Sequence, residues 1–142
     1  MFSGKSILHG AIAGIVAGIV FTFFLLMGGM TESLGAMINM PTKAGGLIVH
    51  AVMSIASGIA FAIVFGWLIH SWLAAILWGL IFGVLMFIAG PMTILPYLSA
   101  GVPLFSKWNM MDLHANMHPL VGHLVFGFVL GIVFYLLRTN QR

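Results

Sequence analysis

The sequence contains no cysteine, which excludes disulfides, thiolate metal sites and iron–sulfur clusters. Charge is almost as scarce: 5% of the 142 residues are charged, against about a quarter in a soluble domain. The seven charges are Lys5, Glu32, Lys43, Lys107, Asp112, Arg138 and Arg142. So few exclude a soluble globular enzyme and a disordered tail. The net charge of +3 is scattered rather than gathered into a patch, so nucleic acid is not an expected partner. Both acids fall in connections between apolar runs, leaving no intramembrane carboxylate for a proton relay. An HExxH helix, a nucleophile elbow and a phosphate loop are all absent. A pump, an intramembrane protease and a sugar transporter are therefore disfavoured.

What is present is apolar: 62% of the chain. A bilayer core needs about 20 apolar residues in a helix. The uncharged stretches between Lys5 and Glu32, Lys43 and Lys107, and after Asp112 hold four such runs, at 7–29, 46–69, 73–94 and 119–138. Continuous apolar runs exclude transmembrane strands, which would alternate. The expected fold is thus an all-α integral membrane protein, a single four-helix domain over 1–142. A short turn at His70 and Ser71 joins the middle helices. Longer connections at 30–45 and 95–118 carry the Pro and Gly punctuation, and Pro119 suits the start of the last helix. Trp108 reads as an interfacial anchor on one side, with Trp67, Trp72 and Trp78 on the other. Lys5, Arg138 and Arg142 against Lys43 and Lys107 place both termini in the cytoplasm, in a bacterial inner membrane. The first run is too long for a signal-peptide core and is expected to be retained.

The two halves resemble each other. Leu47-Ile48-Val49-His50 followed by Gly58-Ile59-Ala60-Phe61 matches Leu120-Val121-Gly122-His123 followed by Gly131-Ile132-Val133-Phe134, in register. Gly14 and Gly18 match Gly79 and Gly83, and Met30-Thr31 matches Met92-Thr93 after a gap of three residues. This pattern predicts a 2+2 internal repeat about an axis along the membrane normal. Chance matching among abundant Gly, Ile and Phe is the competing explanation.

The repeat makes His50 and His123 equivalent, four to five residues into their helices on the long-loop side. A histidine inside a membrane either satisfies itself on a neighbouring carbonyl or serves a function. Two at equivalent positions fit the axial ligands of one b-type haem in a helix bundle. Ser54 and Gly58 follow His50 at intervals of four, as Gly127 and Gly131 follow His123. These small residues would leave room for a macrocycle, although small-residue stripes also serve as packing seams. The protein would then be a one-electron carrier working with quinone or a membrane oxidoreductase. His9 and His70, near the other face, are weaker candidates for a second haem.

Copper is the alternative cofactor. If 106–118 is helical, Met110, His114, Met117 and His118 share one face, and thioether with imidazole suits Cu(I). Met30, Met37, Met40 and Met92 belong to the same side, and His50 or His123 would contribute. In the haem reading His114 and His118 become groups around the cofactor or substitute ligands. The same segment also reads as an interfacial amphipathic helix. A third reading is a non-catalytic subunit or assembly factor, docking on larger partners or on its own copies through the small-residue stripes.

Overall fold

In the computed structural model, which describes residues 4–140, the chain is all-helical, with no strand among the described residues. The helices are α1 (Gly4–Met27), α2 (Thr31–Ala36), α3 (Lys43–Val64), α4 (Trp72–Ala89), α5 (Leu95–Ala100), α6 (Met110–Ala115) and α7 (Met117–Thr139). Four stretches are long and apolar enough to cross a membrane: α1, α3, Trp72–Ala100 and α7. Their outer faces carry large exposed apolar side chains such as Ile19, Phe23 and Leu73, which is compatible with an integral membrane protein. Arg142 lies outside the described residues.

Side-chain caps mark several helix starts. Thr42 Oγ1 accepts from Gly45 N at 3.1 Å, Ser71 Oγ from Ala74 N at 3.2 Å, and Asn109 Oδ1 from Asp112 N at 2.9 Å. The last helix starts two residues before Pro119, which sits in its first turn, where an N–H would lack an intrahelical acceptor anyway. The third long stretch differs from expectation. Gly90-Pro91 and Leu95-Pro96 do not end it. The helix widens into a π turn over Gly90–Ile94 and continues as α5. Pro91 cannot donate a backbone hydrogen bond, and the wide turn absorbs that loss. Thr93 Oγ1 donates to Ile88 O at 2.7 Å across the same turn. The helix stops at Gly101, whose φ of +65° is left-handed.

Close backbone approach joins α3 to α1, α1 to α7 and α7 to α4. Two of these seams are built from glycine. A methyl at Gly58 would strike Gly10 O and come within 2.7 Å of Gly14 Cα. A methyl at Gly127 would strike Gly79 O, and one at Gly131 would strike Ala75 O. The small residues after the two histidines are thus spent on helix packing, so Gly58, Gly127 and Gly131 flank no open slot for a macrocycle.

The fourth side is different. Helices α3 and α4 face each other through long side chains rather than backbone. Phe82 meets Phe61 at 5.3 Å and Phe65 at 5.9 Å between ring centroids. Phe61, Phe82, Leu130 and Phe134 make the buried core towards the terminal end of the bundle. At that end Arg138 donates to Gly66 O and, at 2.9 Å, to Ile69 O, closing the turn after α3.

Candidate functional site

Towards the long-connection end, the spacing of α3 and α4 leaves a cavity of about 240 Å³. Helix α2 packs on α3 beside it, with Thr31 buried against Gly46. The cavity wall is apolar apart from His50, His118, His123, Ser54 and Ser57, and four methionines line it: Met30, Met37, Met53 and Met86.

Each of the three histidines is tethered to a backbone carbonyl. His50 Nε2 lies 2.9 Å from Gly18 O, His123 Nδ1 2.8 Å from Pro119 O and His118 Nε2 3.0 Å from Phe24 O. A carbonyl only accepts, so the facing nitrogen carries the proton. In a neutral ring the other nitrogen is then a bare lone pair. These are His50 Nδ1, His123 Nε2 and His118 Nδ1. Both His50 and His123 line the cavity. An imidazole with one N–H on a carbonyl and its other nitrogen free is oriented as a metal ligand usually is.

Phe21 packs against both His50 and His123, its ring centroid 5.3 Å from the first and 4.9 Å from the second. The ring is tilted 32° from the His50 plane and 69° from the His123 plane. Phe87 approaches the other side of His123 at 6.0 Å. Ser54 lines the cavity, but its hydroxyl is turned onto His50 O at 2.8 Å. Ser57 Oγ lies 3.7 Å from Met86 Sδ across the gap between α3 and α4.

The 106–118 segment is not one helix. It breaks at Asn116 (φ −104°, ψ 20°), which separates Met110 and His114 on α6 from Met117 and His118 on α7. The expected single face therefore does not form. Met110, His114 and Met117 are exposed and do not line the cavity, whereas His118 does. His9 is buried within α1 and His70 is exposed on the α3–α4 turn, and neither reaches the cavity. Among the described residues no three His, Asp or Glu side chains gather closely enough to hold a metal ion, so any metal here would need the thioethers. Sequence reasoning missed Phe21, Met53 and Met86. Helical spacing carries a signal for them: they stand three residues after Gly18, His50 and Gly83.

Comparison with family models, curated proteins and solved structures gives no match.

Proposed function

We propose that the chain is a membrane-embedded metal protein that holds a soft metal ion, Cu(I), in the His50–His123 cavity and serves in copper handling. One observation carries this reading: imidazoles with a bare nitrogen and several thioethers line the same small apolar space. Neutral imidazole and thioether together are a soft donor set suited to Cu(I), which needs few ligands and no carboxylate. The site thus moves from the 106–118 face to the interior of the bundle.

A haem between His50 and His123 is the second reading, favoured by the equivalence of the two rings. It requires Phe21 to leave its place and the cavity to grow well beyond about 240 Å³, already below the roughly 300–1,000 Å³ usual for small-molecule pockets. The bare ion needs neither change.

The 2+2 repeat belongs to the same proposal. Its support is that matched positions do matched work. Gly14 packs on Ser54 and Gly58 as Gly79 packs on Gly127 and Gly131. His50 with His123, Met53 with Phe126 and Phe21 with Met86 all line one cavity, although α1 packs on α7 more closely than α3 on α4. Insertion with both termini in the cytoplasm puts that cavity towards the outer leaflet.

Metal analysis and a visible spectrum of detergent-extracted protein test the proposal. Bound copper with no haem absorption is expected. His50→Ala and His123→Ala should each weaken Cu(I) binding by at least about tenfold, since losing even a group that supports a ligand costs about 10–100-fold, while His9→Ala and His70→Ala leave it unchanged. A bis-histidine haem spectrum lost in either cavity variant would replace copper with haem.

A further inference from the structure

Resting on the copper reading, we propose that the cavity has two tiers of soft donors and that His118, with Met30 and Met37, is the outer tier through which the ion enters. His118 is both exposed and part of the cavity lining. Its Nε2 is held on Phe24 O at 3.0 Å, so its Nδ1 is bare, as in the two inner rings. It stands one residue after the start of α7, and His123 follows five residues on, about 7.5 Å deeper at the helical rise. Met30 and Met37 bracket α2, in the connection that packs beside the cavity. Met53 lies three residues past His50, and Met86 lies against Ser57 across the α3–α4 gap. The inner tier is therefore His50, His123 and Met86, with Met53, whose side chain is 46% exposed, on the cavity's edge.

An ion passing inward exchanges one soft ligand for another without being stripped bare in an apolar space. No redox step is involved: Cu(I) enters and stays Cu(I). Inner donors set how tightly it is held, and outer donors set how quickly it arrives. Met110 and Met111, the most exposed methionines, lie outside the cavity and take no part.

The test is transfer of Cu(I) from a coloured soluble chelator to the full-length protein in detergent, followed in time and to completion. His118→Gln keeps a donor for Phe24 O and removes the imidazole. Met30→Leu and Met37→Leu keep the apolar volume and remove sulfur. The triple variant should load about tenfold more slowly, reach the same final occupancy and keep the wild-type melting temperature. Met110→Leu with Met111→Leu should load at the wild-type rate. Equal rates for the triple variant and wild type would overturn the entry path and leave the inner site standing. A triple variant that also loses final occupancy would overturn the division into tiers. Wild-type protein that takes no Cu(I) from the chelator would remove the copper reading itself.

Discussion

Phe21 shows how one side chain organises the site. It contacts His50, His123 and Phe126, and its ring fills the space that Gly122 leaves open on α7. It therefore ties α1 to both histidine-bearing helices, and truncation removes all of these contacts together. Phe21→Ala should cost about 3 kcal/mol, the lower end of the range for a packed phenylalanine, read as a fall in thermal stability in detergent. Ile19→Ala, on the outward face, should change little. The same variant tests whether Phe21 alone keeps haem out. Haem added to Phe21→Ala should give a bis-histidine spectrum if the ring is the only obstacle, and none if the glycine seams also bar it. The histidines themselves were legible as a pair, because an ionisable residue stands out in an apolar run. Phe21 was not, since one phenylalanine among 12 carries no mark of its position.

Among the elements, the seams α1–α3 and α4–α7 depend on glycine because backbone meets backbone there. Gly58→Ala and Gly127→Ala each place a methyl against an opposing carbonyl, and each should destabilise the fold by about 1–3 kcal/mol. Gly4→Ala meets nothing within 4 Å and should be neutral or slightly stabilising. Stripes of small residues were visible in the sequence, but spacing alone leaves open whether they face a cofactor or a helix. Only the partner helix decides that. The π turn was hidden for a related reason: Gly-Pro ends most helices, and the packed surroundings that let this one continue are tertiary. Outside the spans, Lys107 Nζ and Asn109 Nδ2 hydrogen-bond the Asp112 carboxylate and hold its pKa below the ordinary value. A lowered folded-state pKa means that the contribution is present above the unfolded value and lost as pH falls through the folded one. The loop before α6 should loosen as pH falls through and below the ordinary carboxylate range. The change would be visible in the fluorescence of Trp108, whose indole N–H reaches Thr93 Oγ1 at 2.9 Å. Trp108→Phe should remove the signal, and Asp112→Asn should remove its pH dependence.

On the scale of the whole molecule, four apolar runs with one short turn were enough to read the number and order of the long helices. Which of them pack together was not legible, because nearly every face is apolar and hydropathy distinguishes core from lipid poorly. Absence of cysteine turns this into an experiment, since every introduced thiol is the only one present. The pairs Gly14→Cys with Ser54→Cys and Gly79→Cys with Gly127→Cys stand at matched places on the two glycine seams. Oxidation in membranes should cross-link both pairs to similar extents if the halves are related by a two-fold axis. Cross-linking of one pair alone, with both variants keeping the wild-type melting temperature, would mean that the repeat in sequence is not a repeat in structure. Single thiols settle the orientation. Lys5→Cys and Lys107→Cys sit at opposite ends of the bundle, on α1 and on the loop before α6. With both termini in the cytoplasm, a membrane-impermeant maleimide applied to intact cells should label Lys107→Cys and spare Lys5→Cys until the membrane is broken. The reverse pattern would turn the cavity mouth towards the cytoplasm, so that copper would enter from inside the cell.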